Sequence, residues 1–77
     1  MKDEILEILK KVLNLKELNI DVDLNFSEIG FDSLSTVELV IALEDKYGVK
    51  IDEMEGLRLT TINEVIKFLE EKKALSA

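Results

Sequence analysis

Ser33 is the residue around which chemistry is conceivable. It stands in "EIGFDSLSTVEL", residues 28 to 39, with Asp32 directly before it and Gly30 three residues back. A serine becomes a nucleophile when a neighbouring base takes its proton. Histidine, the usual base, is absent from the chain, and so is cysteine. The stretch also lacks the glycines of the G-x-S-x-G elbow, so serine hydrolysis is excluded together with disulfides and thiolate or imidazole metal sites. What remains is a serine on which another enzyme acts. At the first turn of a helix, free amides and the positive end of the macrodipole favour an attached phosphate. Gly30 lets the chain turn tightly just before it. A bare Asp-Ser pair also serves as an ordinary helix start, which is the plain structural reading of the same residues.

The helix that Asp32 would cap runs from Ser33 to about Tyr47, where Gly48 supplies a stop. On a wheel it shows two apolar sectors. Leu39, Val40, Leu43 and Tyr47 make a core face, whereas Leu34, Val37 and Ile41 gather apart from it, with Glu38 and Asp45 along one border and Glu44 on the other. Burial on both sides of the helix is one explanation. A docking strip is the other, favoured by the acids, because a carboxylate beside an exposed strip can meet a basic partner without paying for desolvation. A second constellation, "DVDLNFSEIGFD" from Asp21 to Asp32, imitates a calcium loop but has Phe26 at the hinge where glycine is needed and Asp32 at the end where a bidentate glutamate is needed. A specific calcium site is not expected there.

Three further elements must position the serine. Ile5, Leu6, Ile8, Leu9, Val12 and Leu13 fall on one side of an amphipathic helix from Lys2 to Leu13. Thr61 and Glu64 form a capping-box pattern ahead of Ile62, Val65, Ile66 and Leu69, the stripe of a last helix ending near Lys73. Between the first two helices Leu18, Ile20, Val22, Leu24 and Phe26 alternate with Asn19, Asp21, Asp23 and Asn25, the pattern of a half-buried strand. The only partner on offer is the short Val49-Lys50-Ile51, so a long loop pinned by alternate side chains competes with the strand.

The 77 residues are read as one domain, 1–77, with a small core, since a chain of this size buries only about 60% of its unfolded surface. Seventeen acidic against ten basic residues give a formal net charge of −7, which disfavours nucleic acid and anionic lipid and favours partners with basic surfaces. No apolar run approaches the ~18 residues of a membrane span, and "MKDEILEILKK" carries acids inside its apolar pattern, unlike a signal peptide. A monomer in the cytoplasm is expected.

With these residues in place, "GFDSLSTVELVIALEDKYGVKI" and "LTTINEVIKFL" resemble the acyl carrier proteins, above all those of bacterial fatty-acid synthesis, over essentially the whole chain. The resemblance implies an all-α, four-helix bundle with a long first loop, whose third helix is a short turn near Glu53 to Gly56. It implies that a phosphopantetheinyl transferase attaches 4'-phosphopantetheine from coenzyme A to Ser33, and that the arm's thiol holds acyl groups as thioesters. Asp32, Leu34, Val37, Glu38, Ile41, Glu44 and Asp45 match positions that in the family meet basic patches on synthases, acyltransferases and other biosynthetic enzymes. Leu39, Leu43, Ile51 and Ile62 are the expected lining of an acyl-chain pocket between the helix beginning at Ser33 and the short turn near Gly56, on helix phase and resemblance together.

Three departures weaken the negative face: Ser35 where aspartate is usual, Lys46 in place of a frequent acid, and Leu57 where an acid is common. They point towards a specialised carrier, for polyketide, lipopeptide or unusual-lipid assembly. The competing functions are a peptidyl or D-alanyl carrier and an unmodified helical adaptor that uses the Leu34, Val37, Ile41 strip alone. An enzyme in its own right is not expected.

Overall fold

The computed structural model describes residues 2–76, with side chains described through Lys73. Four α-helices follow one another: α1 Lys2–Leu13, α2 Ser33–Tyr47, α3 Glu53–Gly56 and α4 Ile62–Ser76, with a 3-10 turn at Phe26–Ile29. α1 packs against both α2 and α4, and α3 lies against α2. This is the four-helix arrangement that the resemblance implied, with α4 running three residues past the expected end at Lys73.

Each helix obeys its local signals. α1 opens on Asp3 and Glu4 and closes on Lys10 and Lys11, charges that match the two ends of its dipole. It stops at Asn14, which adopts a left-handed conformation (φ 56°) while the Leu15 amide reaches back to the Lys10 carbonyl at 2.8 Å. Gly48 ends α2 in the same region (φ 66°), its amide bonded to the Glu44 carbonyl. At the start of α4 the Thr61 hydroxyl accepts the Glu64 amide at 3.0 Å, one half of the expected capping box.

One core joins the elements. Ile5 and Leu9 of α1, Leu39 and Leu43 of α2, and Ile62, Val65 and Leu69 of α4 are fully buried, with Phe26, Ile51, Leu59 and Phe68 packed among them. Among the described residues no polar or charged residue is buried.

The alternating segment from Leu18 to Phe26 is a loop, not a strand. Leu18, Ile20 and Val22 are half-buried against the core, Leu24 is half-buried and Phe26 is fully buried, while Asn19, Asp21, Asp23 and Asn25 face solvent. The period of two survives although the segment turns at Val22 and Asp23, where the Leu24 amide bonds to the Asp21 carbonyl at 3.1 Å. No strand pairs with it among the described residues, and its ladder is replaced by bonds to the approach to α4: Phe26 amide to Thr60 carbonyl at 2.8 Å and Asn63 amide to Val22 carbonyl at 2.9 Å. The acids of the false calcium loop serve it too, Asp23 accepting the Asn63 side-chain amide at 2.7 Å.

Candidate functional site

Ser33 is held in place from the core outward. Phe26 is 2% exposed and stacks at a tilt on Phe31, with ring centroids 5.0 Å apart. Its carbonyl accepts the amides of Gly30 and Phe31, so the chain entering α2 hangs from this one anchored residue. Gly30 makes the reversal at φ 82°, a conformation that a side chain would strain.

Asp32 then caps α2. Its carboxylate accepts both the Ser35 amide at 2.8 Å and the Ser35 hydroxyl at 3.0 Å, and these two bonds hold its pKa below the ordinary aspartate value. Ser35 thereby adds a donor where a carboxylate would bring repulsion. The Thr36 amide and hydroxyl both go to the Asp32 carbonyl.

Ser33 itself is exposed, begins the helix, and has no hydrogen-bond partner for its hydroxyl among the described residues. The Asp32 carboxylate makes no hydrogen bond to it among the described residues, its Oδ1 accepting from Ser35.

From Ser33 a groove of about 550 Å³ runs between α2 and α3. Thr36, Val37, Val40 and Ile41 form one wall; Ile51, Met54, Gly56 and Leu57 belong to the other. The helices approach closely because position 56 is glycine: a Cβ there would lie 3.3 Å from Val40 Cγ2. Of the expected pocket residues, Ile51 borders this groove, whereas Leu39, Leu43 and Ile62 are wholly buried in the core. A hollow of about 590 Å³ lined by Asp23, Arg58, Asn63, Lys67 and Glu70, among others, is polar and does not reach Ser33.

The second apolar sector of α2 is exposed: Leu34 at 65%, Val37 at 53% and Ile41 at 59%. Burial on both sides of the helix is therefore not the explanation of the two sectors. Glu38 and Asp45 are exposed beside them and carry no ion pair among the described residues. Glu44 behaves differently, half-buried and accepting the Ile51 amide at 2.9 Å. Lys46 pairs with Glu4 of α1 at 3.5 Å.

Sequence reasoning placed the turn near Gly56 beside the site but missed two of the side chains that α3 and its C-terminal cap contribute. Met54 and Leu57 are 74% and 70% exposed and extend the apolar surface across the groove, a pairing at helical spacing that was readable in "EMEGL". It also missed the complete capping box in which Asp52 and Glu55 satisfy each other's amides, although an acid followed three positions on by glutamate is the signal for one.

A family model described as the phosphopantetheine attachment site matches residues 3–69. An acyl carrier protein of Wolinella succinogenes is 35% identical over 72 residues, covering 92% of this chain and 95% of that one. The chain belongs to the acyl carrier protein family. Acyl carrier protein 1 of the chloroplast of Spinacia oleracea is 40% identical over 76 residues, of which this chain spans 55% of the relative's length. The solution structure of the acetyl actinorhodin acyl carrier protein from Streptomyces coelicolor superposes with a TM-score of 0.78 at 28% identity, covering all of this chain and 94% of that one. The family's covalent 4'-phosphopantetheine suits the residues present: an exposed hydroxyl without a partner, at a helix start, opening on an apolar groove. Among the described residues no helix is long and apolar enough to cross a membrane.

Proposed function

We propose that the chain is a non-catalytic carrier that holds acyl groups as thioesters on a 4'-phosphopantetheine arm attached at Ser33. The observation that carries the reading is the position of Ser33: exposed, unpartnered, first in α2 and at one end of the apolar groove. Because no side chain accepts the Ser33 hydroxyl among the described residues, the base that takes its proton comes from a phosphopantetheinyl transferase. The Ser33 oxygen then gains a phosphodiester from coenzyme A, and the nucleotide part of the coenzyme leaves. When bound, the group supplies a terminal thiol on a flexible arm, the point at which an acyl chain is held.

The rest of the chain binds and shields. Val37, Val40, Ile41, Ile51, Met54 and Leu57 offer apolar walls to a tethered acyl chain, and each methylene removed from water contributes about 0.8 kcal/mol before the cost of parting the walls. Leu34, Val37 and Ile41 with Asp32, Glu38 and Asp45 meet partners whose surfaces are basic: the transferase, then synthases and acyltransferases of fatty-acid or related assembly. Ser35, Lys46 and Leu57 support assignment to a specialised route.

The test is intact mass after incubation with coenzyme A and a phosphopantetheinyl transferase. One added arm on the wild-type chain and none on Ser33→Ala is the expected result. A wild-type chain that never gains the arm returns the protein to the role of an unmodified helical adaptor.

A further inference from the structure

α3 is a single turn, Glu53–Gly56, too short to persist by its own hydrogen bonding, yet it forms one wall of the groove. Something must hold it against α2. On the α4 side Glu55 pairs with Lys72 at 2.8 Å. On the α2 side Gly56 leaves room for Val40, whose Cγ2 would lie 3.3 Å from a Cβ at that position, and the approach to α3 is fixed by Glu44. The Glu44 carbonyl accepts the Gly48 amide, which turns the chain back in a left-handed step, and its carboxylate then accepts the Ile51 amide at 2.9 Å in a part-buried setting. Ile51 is 8% exposed, lines the groove and directly precedes Asp52, the cap of α3.

We propose that Glu44 is the latch of the α2–α3 groove: its carboxylate fastens the Ile51 amide, and so the α3 wall, to α2, which sets how readily the groove closes over a tethered acyl chain. This rests on the carrier reading above. It separates Glu44 from Glu38 and Asp45, whose carboxylates make no such bond and stand free at the rim. A latch needs an acceptor oxygen and not a charge, so Glu44→Gln retains the function and Glu44→Ala loses it. A docking acid behaves in the opposite way, losing as much on neutralisation as on truncation and responding to salt.

The test compares wild type, Glu44→Gln and Glu44→Ala in two measurements. The first is amide hydrogen exchange of Ile51 in the unloaded chain, which does not depend on modification. The second is hydroxylamine cleavage of acetyl and octanoyl thioesters carried on the arm, where slower octanoyl cleavage reports a closed groove. In Glu44→Ala the Ile51 amide is expected to exchange roughly ten- to a hundredfold faster, the factor that follows from losing a hydrogen bond to a charged acceptor. Octanoyl and acetyl forms of this variant are then cleaved alike. Glu44→Gln keeps most of the protection in both measurements, at low and at high ionic strength. Ile51 exchange in Glu44→Ala within about twofold of wild type, well short of that factor, overturns the proposal. Equal impairment in the two variants overturns it as well, and so does a wild-type chain whose two thioesters are cleaved at one rate, since there is then no closed groove to hold. If no variant accepts the arm at all, the carrier reading fails, and the exchange measurement still decides whether Glu44 fastens α3.

Discussion

Replacing Phe26 by alanine tests how the first loop positions the site. Phe26 is 2% exposed, its ring stacks on Phe31, and its carbonyl and amide hold Gly30, Phe31 and Thr60. Truncating a buried phenylalanine costs about 3–5 kcal/mol, the lost transfer of the ring plus the cavity it leaves. A chain of 77 residues has a total stability of about 4–12 kcal/mol, so the substitution removes a large part of it. At about 4–8 °C per kcal/mol the melting temperature should fall by at least about 12 °C. Urea unfolding followed by circular dichroism gives the free energy, and the rate at which a transferase modifies Ser33 should fall with the folded fraction. Asn19→Ala is the control: it lies in the same alternating segment but faces solvent, and should change stability by no more than about 0.5 kcal/mol. An unfolding free energy for Phe26→Ala within about 1 kcal/mol of wild type, far below the usual cost at such a site, would refute the reasoning that alternate apolar side chains pin this loop.

Three further outcomes are expected. Loading progressively longer saturated acyl groups should raise the melting temperature by an amount that grows with chain length and then levels as the groove fills, whereas superimposable melts place the cargo in solvent. Glu38→Lys and Asp45→Lys should slow modification at low salt, with an effect that shrinks as salt rises and with little change in unfolding; equal rates in all three proteins return these acids to mere solvation. Asp32 has a folded-state pKa below its unfolded value, so its cap on α2 contributes stability that is fully present above the unfolded aspartate pKa and is lost as pH falls through the depressed folded value; carboxyl-carbon NMR titration of Asp32 should show the depression, and Ser35→Ala should reduce it.

Much of this architecture is legible in local pattern, because the determining interactions are local. Ile5, Ile8 and Leu9 mark the buried stripe of α1; Asp32 and Gly48 bracket α2 by hydrogen bonds within a few residues. The two sectors of α2 are real, one buried and one exposed. The loop from Leu18 to Phe26 is set by contacts that are not local. Alternation reports only that successive side chains point to opposite sides of an extended chain, and whether a strand forms depends on a partner that no local pattern contains. The same limit applies to Glu44. A helical wheel gives its azimuth beside the docking strip but not the fold-back at Gly48 that delivers the Ile51 amide to its carboxylate. Of the lining expected between α2 and the turn near Gly56, Ile51 borders the open groove, whereas Leu39, Leu43 and Ile62, which helix phase turns towards the core, are wholly buried.

The central claim, that Ser33 is the attachment point of the prosthetic group, is tested most directly by mass spectrometry of the chain and its Ser33→Ala variant after incubation with coenzyme A and a phosphopantetheinyl transferase. A single added arm is expected, located by fragmentation on Ser33 and absent from the variant, with Ser27, Ser35 and Ser76 unmodified in both. An arm on the Ser33→Ala chain, or on any other serine, would contradict it.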